Sequence, residues 1–516
     1  MTDHFTDNPV DDQLALLAGE GFESLAVQFP ICMASDEVHF FPQARARAFD
    51  WSRWDDFSPT GLADVIGKLT RWEHDLGLQP CHPTPSAHAI DAAMLRRVIL
   101  TLRDQLSVVK VHETQPTFYL TIVGIGLAEA LEAGSQALAA RLKHLPEFLD
   151  QARRTLKHIP GLFRDLGIDM LVKQRHWLAS LQLLEAYRAP IIDAFQRLDG
   201  HLRQIPVVKD FRLPTTLYEL IAAEHMGCLL TPDEIEHGLT QEIEETREIL
   251  DQSAASMAPG RPWQSVVDAL SRPPMPSGGV QQLYRNTIFE LARHCSSQGL
   301  ITADEVNQCP VTVQGIPDYM RPVRSNAAYS MPPIHPPSSG TFFILETGQG
   351  ATIPADYRLL TAHETYPGHH LLDTGRWRHP RPVRRHIEFP ILYEGWARFA
   401  EELMFETGFF SGAVDRLLMA KRRYWRALRG QIDFDIHMHR RTLNEAAAFL
   451  AAQGMDDGRA TAMVRRYSLK PGYQLAYTMG RRRFRRLHDD SCRKGTDPVA
   501  FARRVLAQGE IGFNHL

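Results

Sequence analysis

The sequence predicts an all-α protein carrying one small β element. Apolar residues recur at helical spacing through the first three hundred of its 516 residues, where strand-like alternation is scarce. The best strand, GTFFILET at 340 to 347, stands alone ahead of a second set of helical segments.

The segment 91 to 106, DAAMLRRVILTLRDQL, sets Ala92, Leu95, Val98, Ile99 and Leu102 three and four apart, painting one helical face. GLAEALEAGSQALAARLKHLPEFLDQARRTLKHI and MLVKQRHWLASLQLLEAYRAPIIDAFQRLDGHLRQI repeat the pattern, with no fixed period that would make a solenoid. From about Arg272 to Pro337 the chain is rich in Pro, Gly and Ser, the residues that punctuate helices. Tyr319, Arg321, Arg324, Tyr329 and His335 are poor spacer residues, so a long ordered loop around a cleft is expected there.

After the strand, Asp356 to His363 enter a helix that Pro367-Gly368 interrupts. Pro390 suits the first turn of ILYEGWARFAEELMFETG, a long helix follows at about 412 to 440, and Thr442-Leu-Asn-Glu445 reads as a capping box. PGYQLAYTMGRRRFRRL, 471 to 487, closes the set. Residues 1–300 are expected to form the cleft walls and 301–516 the catalytic region, as one continuous body.

Lys+Arg 57 against Asp+Glu 61 gives a net charge of -4, which excludes a generally basic nucleic-acid binder and offers no polybasic membrane anchor. The start, MTDHFTDNPVDDQLALLAGEG, is acidic and lacks the apolar run of a secretory signal. No apolar stretch approaches the roughly 20 residues of a spanning helix. A cytoplasmic setting is expected, with neither nucleic acid nor membrane as partner. Cys32, Cys81, Cys228, Cys295, Cys309 and Cys492 show no regular spacing and read as reduced, mostly buried thiols.

The chemistry concentrates at Thr361-Ala-His363-Glu364-Thr-Tyr-Pro367-Gly368-His369-His370, followed by Tyr393-Glu394-Gly395-Trp396. In His-Glu-x-x-His, two imidazoles four apart on a helix reach one zinc, and the Glu serves as general base. Here two extra residues intervene, and on an ideal helix i+6 lies about 240° around the axis. Proline removes an internal hydrogen bond and glycine opens otherwise forbidden angles, so a broken turn can return His369 towards His363. Either His369 or His370 can be the second ligand; the expectation falls on His369, with His370 turned to substrate or to a carboxylate behind the ligands. Glu394 is the candidate third ligand. His112-Glu113 is a decoy with no such cluster downstream.

The His-His-Glu set resembles that of gluzincin peptidases. HETYPGHHLL with YEGWARFAEEL further resembles the bacterial family called domain of unknown function 885, regarded as zinc-peptidase-like. AAYSMPP, GTFF, the Asp433 and His437 pair in QIDFDIHMH and KPGYQLAYTMG extend that resemblance over about Tyr329 to Gly480. It implies a gluzincin- or neurolysin-like helical body with a deep cleft and one zinc per chain.

Other roles follow from residue chemistry. Tyr477 and Tyr473 lie four apart on one expected helical face, and either phenol, or His437, can stabilise an oxyanion. Arg321 and Arg324 can grip a substrate carboxylate. Gly340 and Phe342, in GTFF, belong to an edge strand expected to pair with an extended substrate. Arg481 to Arg486 read as a solvated helix face. The expected activity is zinc-dependent hydrolysis of small peptides or N-acyl amino compounds, with Glu364 as general base and His363, His369 and Glu394 as ligands. The alternative is a metal-dependent tailoring enzyme performing a lyase, transfer or deprotection step on a small molecule.

Overall fold

Helices form where the sequence carries apolar stripes. The computed structural model describes residues 9–77, 86–181, 185–271, 273–316, 327–345 and 353–516. Arg321 and Arg324 lie outside the described residues. Pro116–Ala133, apolar on nearly every side, is buried against Ser135–Thr155 and Gly161–Ser180. The first stripe noted above folds as Ala87–Asp104, capped by the Ser86 hydroxyl. None of the described helices is long and apolar enough to cross a membrane. One apolar core includes residues from Leu14 to Phe513, and a second gathers around Tyr284, Phe342 and Leu417. The five described cysteines are free, and all but Cys492 are buried.

The β element is a three-stranded sheet of β1 (Val311–Gly315), β2 (Ala328–Ser330) and β3 (Gly340–Ile344), in the order β1-β3-β2. The Pro-rich interval is thus not one long loop: it carries β1, β2 and the helix Gly279–Ser297. Strand β3 pairs parallel with β1 and antiparallel with β2, so Phe342 sits opposite both Val313 and Tyr329. The expected edge strand is the central one, and both its hydrogen-bonding sides are occupied. Phe342 is a core residue set edge-on against Tyr284, not a substrate contact.

Five helices carry the candidate site: α1 (Tyr357–Glu364), α2 (His369–Arg378), α3 (Pro390–Glu406), α4 (Ala413–His437) and α5 (Leu475–Arg493). Pro390 occupies the first turn of α3, and the Thr442–Glu445 capping box opens the helix after α4. Helix α4 packs along Pro232–Met257, and α3 along α5. Gly395 and Gly480 allow the second crossing: a Cβ on Gly395 would stand 2.6 Å from the Gly480 backbone.

The arginine run on α5 is a solvated face only in part: Arg486 is exposed, but the run begins in the interior. Arg481 is buried and pairs with Glu402 and Glu242 at 2.6 Å each, while Arg482 adds a contact to Glu242 at 3.2 Å. Glu242 lies far away in sequence, on the helix against α4, so the run clamps distant segments together.

Candidate metal centre

Helix α1 ends at Glu364 and α2 begins at His369, so the intervening Thr-Tyr-Pro-Gly reverses the drift an unbroken helix would impose. Gly368 donates its backbone N–H to the Ala362 carbonyl at 3.1 Å, and its missing side chain lets the two turns touch. The rings of His363 and His369 consequently lie 4.8 Å apart, nearly perpendicular.

Glu394 completes the cluster from α3. Its Oε2 lies 3.5 Å from Nε2 of His363 and 3.6 Å from Nε2 of His369. All three residues are buried, and Glu394 Oε2 has no hydrogen-bond partner. Ligand atoms at zinc distances of about 2.0 to 2.1 Å, set tetrahedrally, stand about 3.4 Å apart. The donor set and its spacing therefore fit one zinc ion. Burial alone would raise the Glu394 carboxyl, yet the two imidazoles hold it well below its ordinary range.

Trp396 donates its indole N–H to the Pro367 carbonyl at 2.9 Å, tying the helix of Glu394 to the break between His363 and His369. Tyr473 donates its hydroxyl to Glu394 Oε1 at 3.0 Å. Contrary to the expected shared helix, Tyr473 precedes α5, in a turn that Asp433 holds by accepting from Gly472 and Gln474 N–H at 3.0 and 2.9 Å. Tyr477 lies on α5 with its ring 6.0 Å from that of Tyr473 and its hydroxyl towards Glu394.

Glu364 is buried at the end of α1. Burial pushes its carboxyl up to about 7; His369, Arg422 and Arg426 pull it down, and Glu394 pushes it further up. Such a group accepts and releases a proton near neutrality.

Four expected contacts go elsewhere. His370 Nδ1 meets the Tyr329 hydroxyl at 2.8 Å and its Nε2 meets the Cys309 carbonyl at 2.9 Å. Both nitrogens are thereby engaged in the interior, so neither His370 nor Tyr329 faces a substrate. Gly340 lies beneath the same pair, where a Cβ would stand 2.3 Å from the Tyr329 hydroxyl. His437 is not brought to the cluster: its ring stacks on Tyr218 at 5.3 Å, edge-on to Phe211, and Asp433 is its acidic neighbour at 3.8 Å. Burial lowers its imidazole to about 3.

Residues not anticipated from sequence surround the cluster. Glu401 Oε1 lies 3.2 Å from His363 Nδ1, and Arg398 and Arg422 hold Glu401 in place. Tyr393 stacks on His369 at 4.0 Å and donates to Asp373 at 3.2 Å. The i+7 spacing of Glu394 and Glu401 was the available signal, because it puts both on one face of α3. A cavity of about 1080 Å³ reaches Tyr473 and Gln474, with His39, Phe118 and Phe163 among its walls.

The family model described as bacterial protein of unknown function (DUF885) matches residues 44–516. No curated protein matches the chain at a significant level. Among solved structures, the fold is similar to that of a candidate lipoprotein of unknown function from Shewanella oneidensis, at TM-score 0.73 and 16% identity over 98% of each chain. It is also similar to a candidate lipoprotein from Colwellia psychrerythraea, at TM-score 0.78 and 16% identity over 98% of this chain and 97% of the other.

Proposed function

We propose that this chain, which belongs to the bacterial DUF885 family, is a zinc-dependent hydrolase of amide bonds in small peptides or N-acyl amino compounds. The observation that carries this reading is the convergence of His363, His369 and Glu394 next to a buried carboxyl, Glu364, that is not one of the three converging groups. A bound zinc ion would polarise the scissile carbonyl and make a water molecule acidic.

The chain's own residues supply the rest. Glu364 removes a proton as the water oxygen adds to the carbonyl carbon, and returns it to the nitrogen as the C–N bond breaks. One water is consumed, and a carboxylic acid and an amine are released. Tyr473 fixes one oxygen of Glu394 and leaves the other for the metal. Tyr477, beside Tyr473, would donate to the carbonyl oxygen as negative charge grows there. Short substrates are favoured because the cluster is buried among helices.

Zinc reconstitution with elemental analysis, followed by a screen of dipeptides and N-acyl amino acids, tests the proposal. About one zinc per chain is expected, lost in His363→Ala, together with chelator-sensitive release of amine. A wild-type protein that takes up no zinc, or a zinc-loaded one that cleaves no panel member, would reject it.

A further inference from the structure

Helix α4 sets Arg422, Arg426, Arg429 and Asp433 at intervals of four, three and four residues, one stripe along its length. The ends of the stripe are accounted for. Arg422 binds Glu401 and Asp356 at 3.1 and 2.9 Å, and Asp433 holds the turn around Tyr473. Arg398 also binds Glu401. Two carboxylates, Glu401 and Asp356, thus balance two guanidinium groups, Arg398 and Arg422.

The middle of the stripe has no such direct partners. Among the described residues, neither Arg426 nor Arg429 makes an ion pair or a hydrogen bond, and the buried Nε of Arg429 has no partner. Arg426 lies over the Tyr477 ring at 4.2 Å, and Arg429 over Tyr467 at 5.8 Å. The Tyr477 ring packs 6.0 Å from that of Tyr473, whose hydroxyl binds Glu394, so Arg426 lies just behind the candidate metal cluster. Burial brings the Arg429 guanidinium down to about 10, and the neighbouring Arg426 charge contributes to the fall. An anion held between them would relieve that repulsion.

Two guanidinium groups without an ion pair or hydrogen bond, Arg426 close behind a site for amide hydrolysis, match one ligand group best, a carboxylate, which the planar fork grips with two N–H bonds. The side of the substrate follows from the substrate class. In a dipeptide or an N-acyl amino acid, the free main-chain carboxylate sits on the fragment released as the amine. The anchored carboxylate therefore belongs to the amine product.

We propose that Arg426, backed by Arg429, anchors a free carboxylate on the leaving-amine side, so that the enzyme removes C-terminal residues or deacylates N-acyl amino acids. The reaction rests on the hydrolase reading above; the anchor is open to a binding measurement that needs no turnover. Internal peptide bonds and amidated substrates would lack the group that Arg426 holds.

The test uses the full chain and a panel of N-acetyl amino acids with apolar, acidic and basic side chains, each paired with its C-terminal amide. In calorimetric titration of the metal-free protein, at least one free acid should bind about 10- to 100-fold more tightly than its amide, the range of a charge-assisted hydrogen bond. In Arg426→Gln this preference should shrink to within about threefold. Arg426→Lys, which keeps the charge and loses the fork, should retain part of it. With zinc loaded, kcat/KM should show the same preference for acid over amide. The anchor is overturned if no free acid outbinds its amide, or if Arg426→Gln keeps the full preference. A retained, Arg426-dependent binding preference without any hydrolysis would sustain the anchor and reject the hydrolase reading.

Discussion

The Oε1 atom of Glu401 lies 3.2 Å from Nδ1 of His363, across the ring from the nitrogen that faces Glu394 at 3.5 Å. One helix therefore supplies the carboxylate of the candidate metal cluster and, two turns later, the carboxylate that faces the far side of its first imidazole. Burial would raise Glu401, but Arg398 and Arg422 keep it well below its ordinary range, so an ionised carboxylate faces Nδ1 and would favour the tautomer that leaves Nε2 for a metal. Glu401→Gln should weaken zinc binding about 10- to 100-fold in a chelator competition, as loss of such an outer partner does. The comparison is made at a temperature where circular dichroism shows the variant folded, because Arg398 and Arg422 lose their shared counter-ion. Unchanged zinc affinity in the folded variant would remove Glu401 from this role.

Gly368 tests the geometry of the broken helix. A Cβ there would stand 1.8 Å from the His363 carbonyl oxygen and 2.5 Å from that of Ala362. Both obstacles are backbone, so no side chain can rotate away. Gly368→Ala should lower stability by about 1 to 3 kcal/mol or more and separate His369 from His363, with loss of zinc retention. A variant that melts with the wild type and keeps its zinc would show that the two turns do not need this contact.

The Glu-Gly-Trp motif was legible because each of its residues acts within a short range. Glu394 converges with His363 and His369, Gly395 permits the helix crossing, and Trp396 anchors on Pro367. The turn that brings His369 back was legible for the same reason, since Pro367 and Gly368 act on their own neighbours. GTFF misled because a strand's place in a sheet depends on its partners, and β1 lies in a segment whose prolines and glycines masked it. Arg481 misled because its main partner, Glu242, is 239 residues away, beyond any local pattern. His370 adjoins a ligand in sequence, yet one residue of helix turns its ring by about 100°, towards the sheet.

That turn gives His370 a pH signature. The neutral ring donates Nε2–H to the Cys309 carbonyl and accepts from the Tyr329 hydroxyl at Nδ1, and burial lowers its imidazole to about 3. In the unfolded chain an imidazole titrates near about 6.5. The neutral ring therefore stabilises the fold fully above pH 6.5, and this contribution declines as the pH falls towards 3. By pH 5 it is reduced by about 2 kcal/mol. His370→Gln, which cannot titrate, should be less stable than wild type at pH 7.5, with the gap narrowing by about that amount at pH 5. Zinc should be retained. An equal gap at both pH values, in denaturant titrations, would contradict the buried neutral ring; loss of zinc would mean that His370 is a ligand after all.

Glu364 separates metal binding from chemistry. It follows the proposed ligand His363 directly, but it ends α1 with its carboxyl under the influence of His369, Glu394, Arg422 and Arg426. Glu364→Gln keeps the size of the side chain and its capacity for hydrogen bonding, and removes only the ability to accept a proton. Zinc content and melting temperature should stay close to wild type. Turnover should fall by about two to four powers of ten, the contribution of a positioned general base. Glu394→Gln should behave in the opposite order, losing zinc first and activity as a consequence, because its Oε2 is the atom both imidazoles face. Measuring zinc stoichiometry and kcat on both variants distinguishes the roles. If Glu364→Gln retained zinc and stayed within about tenfold of wild-type turnover, proton transfer would have to run through another group, and the hydrolase mechanism would lose its base.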